Sequence, residues 1–328
     1  MNQGPSVLII QTAFIGDVIL ATALVEAIHA EIAGAVVDFV VRKGNEELLV
    51  GNPGLRHVYI LDKKRKYASL FELSAQFREK RYDYVINVQR FATTGLLTVM
   101  SGGKVKIGFN KNPLSFLFSR SVRHEIGKVH EVTRNLCLLA PLGVKATARP
   151  RLYPSPLQFD KVRSFKSVPY LTVSPASVWF TKQWPEERWI EFLSRVQRFQ
   201  VYLLGSDEDS ALCHRIAEAR GGSALTNLAG QLSLLESAAL MKDARMNFVN
   251  DSAPMHLASA VNAPVTAVYC STIPDFGFGP LSDVSFVVET EQKLDCRPCG
   301  LHGFRQCPKG HFRCATTIVA EQLLATLS

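Results

Sequence analysis

The chain has 328 residues, enough for two domains that each bury a core. Hydrophobic residues make up 47% and charged residues 20%, which excludes a disordered chain, and no apolar run approaches the roughly 20 residues that span a bilayer. A formal charge of +8 favours anionic partners, but no basic motif interleaved with aromatics accompanies it, so nucleic acid is not expected.

The opening MNQGPSVLIIQTAFIGD lacks the basic start and cleavage site of a signal peptide, so the cytoplasm is the expected compartment. Its apolar part, Val7–Gln11, reads as a first strand. Further strands are expected at Val36–Val41, Val58–Leu61, Tyr84–Val88 and Lys106–Gly108. Helices are expected at Val18–Ala33, Glu46–Val50, Leu70–Lys80, Thr94–Met100 and His130–Leu142. Such alternation argues a parallel, doubly wound sheet. Between strand one and helix one stand Gly16, which lets a ligand approach the backbone, and Asp17, at or beside the helix start. Spacing alone reads Asp17 as a helix cap and Gly16 as a turn. The run Lys63-Lys64-Arg65-Lys66 reads as solvated lysines or, functionally, as a patch drawn to an anionic membrane or phosphorylated glycolipid.

Residues 145–169 are rich in proline and basic residues and weak in period, which places a boundary near residue 150 and predicts domains 1–150 and 151–328. The alternation then resumes. Strands are expected at Tyr170–Val173, Val201–Leu204, Met246–Val249 and Val265–Tyr269. Helices are expected at Glu186–Arg198, Asp207–Arg220, Leu234–Asp243 and Ala253–Val261. Thr317–Leu327 reads as a terminal helix free to pack back on the first domain. A strand that runs through Asn250-Asp251-Ser252 into a helix gathers a carboxylate, a hydroxyl and free N–H groups, the usual place for an anion or ribose. The plain alternative is that Asp251 or Ser252 only caps the helix. Neither a G-x-G-x-x-G after a strand nor a phosphate-binding G-x-x-x-x-G-K-[ST] is present, which weakens dehydrogenase and ATPase readings.

Cys296-Arg-Pro-Cys299, Cys307 and Cys314 crowd the last stretch, with His302 and His311 among them. These residue types can ligate zinc, but only one C-x-x-C occurs and the later spacings are irregular. We expect structural thiols and no metal.

Several long stretches resemble glycosyltransferase family 9, the ADP-heptose:lipopolysaccharide heptosyltransferases. NDSAPMHLASAVNAPVTAVYCST is similar to the family's Asn-Asp-Thr/Ser-Gly-Pro-Met-His-Leu-Ala-Ala-Ala run, with Ala253 for the glycine and Cys270-Ser271 for Gly-Pro. SPASVWFTKQWPEERW resembles its Pro-Gly-Ala-x-x-x-x-Lys-Arg-Trp-Pro-x-x-x-Trp segment. VLIIQTAFIGDVILATALVEAI resembles its Leu-Gly-Asp opening, and Tyr84–Phe109 its Asp-Leu-Gln-Gly run, with Asn87 for the aspartate. The resemblance implies two Rossmann-like domains facing a cleft (the GT-B architecture) and an inverting, metal-independent heptosyl transfer from ADP-heptose to the lipopolysaccharide inner core. It implies Asp17 as general base, with Gly16 and Gln89 on the acceptor side. It places Ser177, Thr181, Lys182, Asp209, Asp251, Ser252, Ala253 and His256 about the nucleotide sugar, Asp209 on the ribose. The partners implied are the nucleotide sugar and a lipid A–inner-core acceptor at the cytoplasmic membrane face. Rival readings are a nucleotide-sugar epimerase of the same architecture and an inactive nucleotide-binding homologue.

Overall fold

The apolar runs carry little alternation because each becomes a strand covered on both faces. The computed structural model describes residues 4–127 and 129–327, and the chain divides after Tyr153 into two units. The first comprises β1 (Ser6–Ile10), α1 (Ile15–Glu31), β2 (Val36–Arg42), β3 (His57–Leu61), α2 (Lys66–Lys80), β4 (Tyr84–Asn87), α3 (Ala92–Met100), β5 (Val105–Phe109), β6 (Arg120–Val122) and α4 (Glu131–Leu136). Its six strands lie in the order β3-β2-β1-β4-β5-β6, every neighbour parallel. Strand order therefore reverses between β1 and β4, and the carboxyl ends of these two flank the crevice where open α/β sheets bind ligands.

The second unit comprises α5 (Pro156–Lys161), β7 (Tyr170–Ser174), α6 (Glu186–Arg195), β8 (Gln200–Leu203), α7 (Ser210–Arg220), β9 (Leu225–Asn227), α8 (Leu234–Lys242), β10 (Met246–Asn250), α9 (Ala253–Ala260), β11 (Val265–Tyr269), β12 (Ser285–Glu289), α10 (Arg313–Thr316) and α11 (Ala320–Leu324). Its sheet runs β12-β11-β10-β7-β8-β9, also parallel throughout. The reversal here falls between β7 and β10. Both units thus repeat one doubly wound topology, an α/β fold.

Each unit has its own core. In the first, Leu8 and Ile10 of β1 pack with Val40, Tyr59, Phe77 and Tyr82, and Val18–Val25 of α1 are buried all round. In the second, Trp184 and Trp189 meet edge to face at 4.8 Å among Phe192, Phe248 and Ile318, so these tryptophans pack the core.

Several boundaries differ from expectation. Glu46–Leu49 is a single 3-10 turn, not a helix to Val50. The expected His130–Leu142 helix stops at Leu136 and tightens to a 3-10 turn over Cys137–Leu142, since Pro141 can offer no N–H to an α-helical ladder. The terminal segment is two short helices and a 3-10 turn. It packs on α6 of its own unit, with Arg195 paired to Glu321 and Trp184 Nε1 donating to the Ile318 carbonyl at 3.2 Å. Of the proline-rich connection, residues 145–153 follow α1: Arg151 N donates to Thr22 Oγ at 2.9 Å and Tyr153 Oη to Glu26 at 2.9 Å. The rest forms α5, against α8.

Candidate functional site

Residues at the two switch points come from the loops after β1, β4, β7 and β10. In the first unit β1 runs through Gln11–Ala13 into α1, and Asp17 occupies the third position of that helix. One carboxylate oxygen accepts from the Phe14 N–H at 3.2 Å, so the capping role is real. It is not the whole account. Burial first, and then the nearby Glu131 carboxylate, push the Asp17 pKa up to about 6, against the opposing pull of the Phe14 N–H and Lys111. A simple surface cap has no such shift. Gly16 lies inside the first turn of α1 rather than in a turn before it.

Gln89, after β4, is buried and donates to Gln11 across the switch, while its carbonyl accepts from Asn112 at 2.9 Å. Asn87, where the resembled family has aspartate, donates to Thr98 at 2.9 Å and accepts from the Gln89 N–H at 2.8 Å. It is a brace for that loop. His130 caps α4, accepting at Nδ1 from Val132 N at 3.1 Å. Arg134 is buried: its Nε meets Glu131 at 2.7 Å and its Nη1 the Val129 carbonyl at 2.6 Å. Burial would raise the Glu131 pKa, but His124 and Arg134 outweigh it and hold the carboxylate ionised, below its usual range. Lys111, desolvated in the same cluster and repelled by Arg134 and Arg90, falls to about 8 despite Glu131. Glu131 and Lys111 were not singled out from sequence.

In the second unit the loop after β7 brings Lys182 to the loop after β10. Lys182 Nζ lies 2.7 Å from Asp251, both side chains largely buried, and Thr272 Oγ donates to the same carboxylate at 2.6 Å. Ser252 stands at the N-cap of α9 without capping it through its side chain, and its hydroxyl lies 3.4 Å from the Asn250 carbonyl. Ala253 opens α9 and His256 is buried one turn in. Ser177 is half-exposed, its carbonyl accepting from Gln183 Nε2 at 2.5 Å. Thr181 has a different place from the one expected. It is buried, and its hydroxyl oxygen accepts from Ser271 Oγ at 3.0 Å and from the Phe304 N–H at 2.7 Å, which holds the Lys182 loop rather than lining open space. Asp209 closes a capping box, its Oδ2 accepting from Ser206 N and Oγ, both at 2.8 Å. Asp209 thus serves the fold as a cap, which leaves the ribose contact implied by the resemblance without geometric support.

Two braces went unnoticed in the sequence. Asn250 donates to the Pro175 carbonyl at 2.8 Å and accepts from Trp184 N at 2.9 Å, tying the end of β10 to the Lys182 loop. Arg297, inside the Cys-Arg-Pro-Cys run, donates to the carbonyls of Cys270 at 2.7 Å and Thr272 at 2.8 Å, and pairs with Glu289. Cys299 N adds a bond to the Ser271 carbonyl at 2.8 Å. The cysteine-rich loop therefore buttresses the strand end that supports Asp251 and Lys182. All seven thiols are free, and among the described residues no three metal-ligand side chains converge.

The sequence is similar to known transferases over most of its length. The lipopolysaccharide heptosyltransferase 3 of Escherichia coli is 26% identical over 280 residues, covering 79% of this chain and 82% of the relative. The solved ADP-heptose lipopolysaccharide heptosyltransferase II of E. coli superposes with a TM-score of 0.80 at 22% identity, covering 98% of both chains. The E. coli heptosyltransferase WaaC, solved with ADP-2-deoxy-2-fluoro heptose, gives 0.71 at 22% identity, again over 98% of both chains. The sequence model of glycosyltransferase family 9 (heptosyltransferase) matches residues 70–301, well over half of the chain, and the protein belongs to that family of glycosyltransferases.

Proposed function

We propose that this glycosyltransferase moves a heptose from ADP-heptose to the inner core of lipopolysaccharide, with inversion and without a metal. The names of the relative and of the solved structures support donor and product, and the chemistry is supported by the residues. The first unit takes the acceptor. Asp17, ionised above about 6, accepts the proton of the acceptor hydroxyl as that oxygen bonds to the anomeric carbon. The bond from that carbon to the diphosphate breaks on the opposite face, and ADP departs. The second unit takes the nucleotide. Lys182, held by Asp251, and the free N–H groups at the start of α9, beside Ser252 and Ala253, meet the negative charge growing on the diphosphate. Those groups do the work a divalent cation does in metal-dependent transferases. Ser177 and His256 complete the donor side, and Thr181 keeps Lys182 in place.

The observation that carries the reading is the raised Asp17 pKa at the β1–β4 switch point, because a structural cap has no need of it. The test is transfer from ADP-heptose to truncated lipopolysaccharides in EDTA, with the anomeric configuration of the product read by NMR. Transfer with inversion is expected. Free sugar released without an acceptor would instead show the epimerase, and no turnover with any donor would show a binding homologue. Elemental analysis of the purified protein is expected to find no stoichiometric metal on the four C-terminal cysteines. One zinc per chain, with unfolding on its removal, would overturn that part.

A further inference from the structure

Lys63–Phe71 joins β3 to the first turns of α2, and every residue from Lys63 to Ala68 is exposed. A run of cations is ordinarily only a solvated corner, but this one continues into large apolar side chains. Tyr67 is 70% exposed and Phe71 59%. They stand one helical turn apart on one side of α2, while Leu70, Leu73 and Phe77 supply the face it buries. Packing has therefore left two aromatics in water beside four cations. Of those four, only Arg65 has a carboxylate partner among the described residues, Glu72 at 3.2 Å.

We infer that this corner, Lys63–Lys66 with Tyr67 and Phe71, docks the protein on an anionic phospholipid surface. Basic side chains gather at anionic headgroups, and rings with one polar or cationic flank settle at the headgroup boundary, where neither charge nor apolar area is wasted. Lys66 Nζ already lies 5.6 Å from the Tyr67 ring centre, so both kinds of group present together. Topology extends the patch. β3, β2 and β1 are parallel neighbours, so their carboxyl ends lie side by side. The end of β2 contributes Arg42, whose charge reaches Lys63, and Arg42 lies 5.1 Å from the ring of Phe14, itself 61% exposed. Phe14 precedes Asp17 by one turn of α1. A membrane against this corner thus lies along the same sheet edge as Asp17, which is where a lipid-anchored acceptor would present its sugar. That last step rests on the proposed function; the docking itself does not.

The test separates them. The protein is sedimented with vesicles of phosphatidylcholine, with and without phosphatidylglycerol and free of glycolipid, and transfer to a short soluble acceptor is assayed alongside. The wild type should bind only the phosphatidylglycerol vesicles, less at high salt. Tyr67→Ser/Phe71→Ser and Lys64→Ser/Lys66→Ser should each lower partitioning by at least roughly tenfold, with unchanged circular dichroism and unchanged transfer to the soluble acceptor. Wild-type protein that ignores these vesicles, variants that bind as well as it does, or binding that requires glycolipid in the vesicle would each overturn the docking surface. Vesicle binding lost in both variants, with no transfer by any form, would uphold the surface and sink the proposed activity.

Discussion

Asp17 caps a helix and still carries a carboxyl whose pKa burial raises to about 6. Its raised pKa predicts that kcat/KM climbs with pH through about 6, as the base ionises. Because Glu131 is part of the cause, Glu131→Gln should move that limb to lower pH, which a merely structural role for Glu131 would not do. Asp17→Asn keeps the cap and removes the base, so turnover should fall by ~10²–10⁴ with little change in ADP affinity. A carboxyl whose folded pKa lies above its unfolded value carries a penalty that is absent in acid, grows as pH rises past the unfolded value near 3.8, and is complete above about 6. Asp17→Asn should therefore be more stable than wild type at pH 8, by up to about 3 kcal/mol, and lose most of that advantage near pH 4. Thermal unfolding at the two pH values reads it; a variant less stable at pH 8 would mean the carboxylate is not strained. Lys182→Ala should weaken ADP binding by roughly tenfold or more, as a charge-assisted contact of ~1.5–3 kcal/mol is lost, and calorimetry in EDTA measures it.

At the scale of elements, the loop carrying Arg297, Cys299 and Phe304 holds the Lys182 loop against β11. Gly303 is where they touch. Its φ is +74°, and a Cβ there would come within 2.8 Å of Thr181 Oγ and 3.2 Å of Lys182 Cγ. Gly310 has nearly the same backbone, φ +71°, with nothing within 4 Å. Alanine at either position should cost about 1 kcal/mol in unfolding experiments through the left-handed backbone. Only Gly303→Ala should also weaken ADP binding, because only there must the lysine loop shift. Equal ADP affinity in the two variants would show that the loop does not position Lys182. In the sequence, the cysteines are the residues of this C-terminal stretch whose type suggests chemistry. Its working contacts are instead an arginine, two backbone N–H groups and a glycine, which no spacing rule singles out.

For the whole molecule, two units with separate cores predict that residues 154–328 fold alone and bind ADP with an affinity near that of the full chain. The isolated unit at 100-fold excess of ADP over its Kd should gain about 2.7 kcal/mol, seen as a rise in unfolding temperature. An isolated second unit that folds and ignores ADP would move the nucleotide site elsewhere.

The alternation of apolar and amphipathic runs was enough to determine the α/β class and the strands β1 to β5, β7, β8, β10 and β11. Central parallel strands must be apolar on both faces, and that pattern is written in the chain itself. The strands β6, β9 and β12 escaped because the first two have three residues each and all three stand partly in water, so composition does not mark them. Motif resemblance located Asp17, Lys182 and Asp251 at strand ends. Only the tertiary structure decided what each does there. It paired Lys182 with Asp251, spent the hydroxyl oxygen of Thr181 on the fold, closed Asp209 into a cap, and brought Glu131 and Lys111 from over ninety residues away to act on Asp17. Electrostatic cause falls off with distance through space and not along the chain, so a pKa near 6 had no trace in the order of residues.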